Sequence, residues 1–143
     1  MKKKQKTILT ILVGLLCLTA CNNTEYKIKK NAEKYINAMA EYDISAARPY
    51  ATEETQHATL DFIESNILPT IDSNYIHQNT PAQITIDSVI VSSDTSATVY
   101  FRKTTPIQKN TAATLHMRQR DGKWLAHQVV DFTIRFGTKQ QTE

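Results

Sequence analysis

Four sets of side chains in this 143-residue sequence are of types that do chemistry. His116 and His127 flank an Asp121-Gly122 dipeptide, and a tight hairpin there sets them on adjacent strands with β-carbons about 5 Å apart. Two imidazoles so placed can share Zn²⁺ or Cu²⁺, but a stable site takes a third or fourth ligand. Asp131 shares their face yet lies four residues beyond His127, roughly 13 Å at about 3.3 Å per residue. The pair therefore reads as a solvated cross-strand contact and a weak metal candidate, and no cofactor is expected. His57 and Asp61 stand four apart, so a helix puts them on one side, where the carboxylate can orient a base or simply pair at the surface. Tyr35 sits in an apolar stripe and reads as a core ring with its hydroxyl at a rim. The thiols are Cys17 and Cys21. With Gly14, Gly122 and Gly137 as the only glycines, a glycine-rich phosphate loop is excluded, and no nucleophile elbow is present.

The position of Cys21 decides its chemistry. Lys2, Lys3, Lys4 and Lys6 form a positive start, and Thr7 to Leu18 an apolar run of signal-peptide length. That run is shorter than the roughly 20 apolar residues a bilayer span needs. Leu18-Thr19-Ala20-Cys21 follows at once and resembles the lipobox of bacterial lipoproteins, an aliphatic residue and two small ones before the cysteine that receives a diacylglycerol thioether. Cys17, preceded by Leu16, fits that pattern less well. The resemblance implies cleavage before Cys21, lipidation of its sulfur, and a mature chain with no free thiol. Disulfide, thiol-catalytic and cysteine-metal chemistry would then be absent. The expected partner is a membrane, reached through Cys21 and held close by the short tether 21–24. With Asn22 after the cysteine, a Gram-negative host would place the protein on the periplasmic side of its outer membrane; in another host it would sit on the outer face of the cytoplasmic membrane.

The formal charge of +3 belongs to the leader. Without its four lysines, 13 basic side chains face 14 acidic ones, a net of −1, and no basic stretch is interleaved with aromatics. Nucleic acid is therefore not an expected partner. A 41% hydrophobic, 22% charged composition is that of a globular domain, and the length suits one.

The elements that must position these residues follow from periodicity. Ile28, Ala32, Tyr35, Ile36 and Met39 recur at steps of three and four, which predicts an amphipathic helix over 25–42. Asp43 is placed to cap a short helix from Ile44 to Arg48, with Pro49 expected to push Arg48 out of the helical region. A third helix is predicted from Thr52 to Ile67 with Leu60, Ile63 and Ile67 inward, and Leu68 to Ile76 is ambiguous. After Asn79-Thr80-Pro81 the period drops to two, predicting strands over 83–92, 97–103, 111–120 and 123–135. Residues 25–136 form the predicted domain and 137–143 a frayed tail.

Register follows from the turns. Asp121-Gly122 pairs Arg120 with Lys123, Met117 with Ala126, Leu115 with Gln128 and Ala113 with Val130. Its other face carries Arg118 with Leu125 and His116 with His127. A four-residue loop from Ser93 to Ser96 pairs Ile90 with Val99, Val89 with Tyr100 and Asp87 with Arg102. The face predicted to look inward then carries Ile84, Ile86, Ser88, Ile90, Val99, Phe101, Ala113, Leu115, Met117, Trp124, Ala126, Gln128, Val130 and Phe132, none of them titratable. Val89, Val91, Tyr100, Leu125 and Val129 decorate the outer face, which suits a homodimer or another partner.

Helices followed by antiparallel strands make an α+β domain, three N-terminal helices on a sheet of about four strands. The runner-up is a cystatin-like sheet on one helix. The order of elements, the helix ending Ala40-Glu41-Tyr42-Asp43, the short Ser45-Ala46-Ala47 and the hairpin Arg118-Gln119-Arg120-Asp121-Gly122-Lys123-Trp124-Leu125 resemble the nuclear-transport-factor-2-like superfamily. They are most similar to small bacterial lipoproteins of unassigned function that carry this domain. The resemblance implies a curved sheet whose concave side is filled by helices. It also implies either a non-catalytic ligand-binding or dimerising module, or an isomerase- or hydratase-like enzyme with an acid or base in the cone. No inward strand residue supplies such a group, so a catalyst would need Tyr35, His57 or Asp61 from the helices, and no catalytic residue is assigned. The expected pocket is Tyr35, Phe101, Leu115, Met117 and Trp124, for a small apolar ligand.

Overall fold

The computed structural model describes residues 23–129. The signal, the lipobox with Cys21, and Asp131, Val130 and Phe132 of the predicted last strand lie outside the described residues, as does the tail. Helix α1 covers residues 23–40, with Ile28, Ala32, Tyr35 and Ile36 buried along one face. It ends as Tyr42 takes a left-handed φ of 62° and the Asp43 amide donates back to the Ala38 carbonyl at 2.9 Å. Asp43 then serves a second end: its carboxylate accepts from the Ala46 amide at 2.9 Å and caps α2, Ile44–Ala47.

Arg48 does not leave the helical region. Its φ and ψ are −50° and −47°, and Arg48–Tyr50 continue as a 3₁₀ turn. Pro49 sits at the start of that 3₁₀ turn, where its fixed φ suits the helical backbone.

Helix α3 runs over 53–67, capped by Thr52, whose hydroxyl accepts from the Thr55 amide. Two of its turns, Gln56–Leu60 and Ile63–Ile67, widen so that the amides of Asp61 and Leu68 reach five residues back. Leu60 is fully buried, while Ile63 and Ile67 are only partly covered. The ambiguous stretch resolves into a 3₁₀ turn at Leu68–Thr70 and a further helix, α4, Ser73–Asn79, capped by Asp72. Among the described residues there are therefore four helices before the sheet rather than three. Thr80-Pro81 is a cis peptide at the change of period.

The sheet is antiparallel in the order β1 (Gln83–Ser93), β2 (Ser96–Thr104), β3 (Thr111–Arg120), β4 (Lys123–Ala126). The last hairpin has the expected register: Arg120 faces Lys123, Arg118 faces Leu125 and Met117 faces Ala126. Its turn residues Asp121 and Gly122 have φ of 50° and 75°, the positive angles a tight hairpin requires.

The first hairpin departs from expectation. Ile86 pairs with Phe101, but beyond a bulge at Asp87 the ladder shifts, so Val89 faces Val99 and Ile90 faces Thr98. One extra residue on a strand moves every later side chain to the opposite face. Val89 consequently packs against the core and Ile90 is 54% exposed, the reverse of their predicted places, and Ser88 leaves the inner face with it. The Asp87–Arg102 pair survives the shift: the guanidinium donates to both carboxylate oxygens at 2.7 to 3.0 Å.

β4 is shorter than predicted. Its ladder stops at Ala126, with one more bond from the His127 amide to the His116 carbonyl. Gln128 does not pair with Leu115 because its backbone turns to α3, its amide donating to Thr55 Oγ1 and its carbonyl accepting from Thr59. The core between α1, α3 and the sheet holds Ile28, Tyr35, Leu60, Val99, Met117 and Trp124. Asn31 of α1 donates to the Trp124 carbonyl at 2.9 Å and fixes the helix across the hairpin.

Candidate functional site

Where α1 passes over the far ends of β2 and β3, the packing opens into a cavity of about 350 Å³. Tyr35, Ile36, Met39 and Ala40 form its helical wall, and Phe101, Lys103, Thr111, Ala113, Thr114 and Leu115 its sheet wall, with Gln128 beside them. The composition follows from two periodicities. The helix contributes steps of three and four from its buried face, and the strands alternate, so Val99, Phe101 and Lys103 point the same way. Of the expected pocket, Tyr35, Phe101 and Leu115 line this cavity. Met117 and Trp124 do not: they are 0% and 2% exposed in the solid core toward the Asp121-Gly122 hairpin.

Tyr35 is 2% exposed, and its hydroxyl lies 3.4 Å from Gln128 Oε1, a long and weak contact for an O–H donor. Burial pushes its pKa up to about 12, because the phenolate would lose its hydration. At neutral pH it is a proton-bearing hydrogen-bond donor. Lys103, half-buried at the other wall, is a titratable residue missing from the predicted inner face, although the alternation through Val99 and Phe101 reaches it.

The other candidates lie elsewhere. His57 and Asp61 form the expected i, i+4 pair at 3.2 Å, but at the surface and away from the cavity. Asp61 is also gripped by Arg48 at 2.7 Å, and that hydrogen bond holds its carboxyl below the usual range. Neither residue reaches the cavity, so neither can serve a catalyst in it.

His116 lies on β3 and His127 just past the end of β4, where its amide donates to the His116 carbonyl, but each Nδ1 has its own hydroxyl: Thr98 Oγ1 at 3.3 Å for His116 and Thr52 Oγ1 at 3.1 Å for His127. Partial burial, and then the positive charge of Arg118, lower the His127 pKa. Among the described residues no group of three or more His, Cys, Asp or Glu is placed to hold a metal ion. His77 closes α4. Tyr100 and Val129 are exposed as expected, joined by Ile90 rather than Val89, and Val91 is exposed too although it pairs with the buried Ala97.

The architecture has a solved counterpart. A NTF-2-like protein of unknown function from Shewanella oneidensis MR-1 superposes with a TM-score of 0.50 over 70% of this chain and 91% of that one, at 17% identity. The fold is NTF-2-like. At that identity the likeness concerns the fold alone, and NTF-2-like folds host both enzymes and non-catalytic binders. No protein-family model matches the chain, and no curated protein is significantly similar to it in sequence.

Proposed function

We propose that this chain is a lipid-anchored protein of the bacterial cell envelope, tethered through Cys21, whose domain holds a small, largely apolar ligand between α1 and the sheet. The observation that supports binding is the cavity itself: about 350 Å³, walled by Tyr35, Met39, Phe101 and Leu115, with few polar groups. Ligand sites are commonly of this kind, mostly apolar with a small number of placed polar groups. The anchor rests on the lipobox-like Leu18-Thr19-Ala20-Cys21. Its location, periplasmic side of an outer membrane or outer face of a cytoplasmic membrane, depends on the host.

Acid–base catalysis is the weaker reading. A general acid or base works best with a pKa near the operating pH, and Tyr35 is pushed away from it, up to about 12.

Native mass spectrometry of the chain purified from its own host tests both halves. A bound mass that leaves on denaturation supports the ligand, and protein always bare overturns it. A mature N-terminus at residue 21 carrying a diacylglycerol supports the anchor, and an unmodified thiol there overturns it.

A further inference from the structure

Of the described residues that line the cavity, Lys103 is the one basic side chain, and none is acidic. Lys103 and Thr111 face each other across β2 and β3, and the other cross-strand neighbour of Lys103 is Ile84. The ammonium stem therefore lies against an aliphatic residue and a threonine, at the edge of an apolar wall made by Phe101, Leu115 and Met39. No carboxylate of the described residues pairs with it, whereas the adjacent Arg102, facing outward, holds Asp87 with both nitrogens of its fork. The strand thus satisfies its solvent-side cation internally and leaves its cavity-side cation without a carboxylate partner among the described residues. An anion arriving with an apolar body would give Lys103 a counter-charge while filling the space behind it.

Building on the proposed ligand-binding role, we infer that the ligand is an anionic amphiphile, its apolar body against Phe101, Leu115 and Met39 and its head, a carboxylate or phosphate monoester, at Lys103. The space suits a compact molecule. At about 30 Å³ per water-sized group, the cavity of about 350 Å³ takes roughly a dozen non-hydrogen atoms. A single short-chain acid is of that size.

The test is calorimetric titration of the full chain carrying Cys21→Ser, so that no attached lipid competes, with octanoate, octyl phosphate and octanol at pH 7. The expected result is that one or both anions bind about tenfold more tightly than octanol, the usual scale of a hydrogen bond to a charged group. The tighter anion identifies the head. Lys103→Gln should reduce the anions to the level of octanol, Lys103→Arg should keep the preference, and added salt should weaken the anions alone. Equal affinity for octanol and both anions, or a preference that persists in Lys103→Gln, would overturn the assignment of the head to Lys103 while leaving the cavity a binding site. Absence of binding by all three would overturn the inference and the ligand-binding reading together. Should Lys103→Gln fail to fold, the comparison of three probes and the salt series in the unsubstituted chain decide the matter.

Discussion

The two ends of the inner sheet face share β2 and β3 and are covered by the same helix, yet one is solid and the other hollow. At the hairpin end Trp124, Met117, Ala97 and Val99 are all nearly or fully buried, and small residues alternate with large ones so that the layers interlock. Ala126 continues that packing under α3, which reaches it through Thr52 and Thr55. At the far end the large residues are Tyr35 and Phe101, and the positions between them are Ala113 and Thr111, which leave a void instead of filling it. Packing is dense in the first region and open in the second. The same alternation serves both, and the outcome depends on whether a helix residue of the right size descends into each gap.

That contrast can be broken deliberately. Trp124→Ala strikes the solid end and should cost about 3 to 5 kcal/mol, read as a lower denaturant midpoint; a loss under 1 kcal/mol would mean the hairpin end is not packed as described. A smaller effect comes from the hollow end at high pH. The Tyr35 pKa of about 12 in the folded chain lies above its ordinary value of 10.0, so the stability tied to its proton is intact below pH 10 and drains away as pH rises through 12. Relative to Tyr35→Phe, which has no proton to lose, the unsubstituted chain should give up about 2 to 3 kcal/mol across that window. Parallel stability curves for the two would contradict the burial.

Adding volume gives the sharpest comparison. Ala97→Phe, at 1% exposure, should destabilise by about 1 to 3 kcal/mol. Ala113→Phe, on the exposed part of the cavity wall, should change stability by less than about 1 kcal/mol while abolishing ligand uptake. If both substitutions cost the same, the two ends do not differ as described. The smallest effect is expected at His127. Its lowered pKa means that its contribution to stability is present above pH 6.5 and is lost as pH falls through the folded-state value. A denaturation series from pH 7 to pH 5 should show a steeper acid loss for the unsubstituted chain than for His127→Gln.

Much of this fold is legible in the sequence because its signals are local. Asp121-Gly122 prescribes its own turn angles, and once that turn is placed the pairing of Met117 with Ala126 is counting. Asp43 likewise announces a helix start. The first hairpin is less legible for a physical reason: Val89, Ile90 and Val91 form a continuous apolar run, so either phase puts an apolar residue inside, and the bulge at Asp87 that selects the phase has no side-chain signature. The division between packing and cavity was also out of reach. Met117, Trp124, Phe101 and Leu115 are equivalent in pattern, and only the path of α1 separates the two that fill space from the two that border it. Lys103 could have been found by carrying the alternation one step further along β2.

The threonines of α3 have one more consequence. Among the described residues β4 is an edge strand, and its outer polar groups would ordinarily be open to another chain. Instead the Ala126 carbonyl accepts from the Thr52 amide at 2.9 Å and from Thr55 Oγ1 at 3.3 Å, and the Gln128 amide and carbonyl are taken by Thr55 and Thr59. A helix bearing hydroxyls one turn apart thus occupies the ladder that a foreign strand would seek, while the bulge at Asp87 distorts the opposite edge. A strand from a second molecule is thereby denied the Ala126 and Gln128 groups it would pair with.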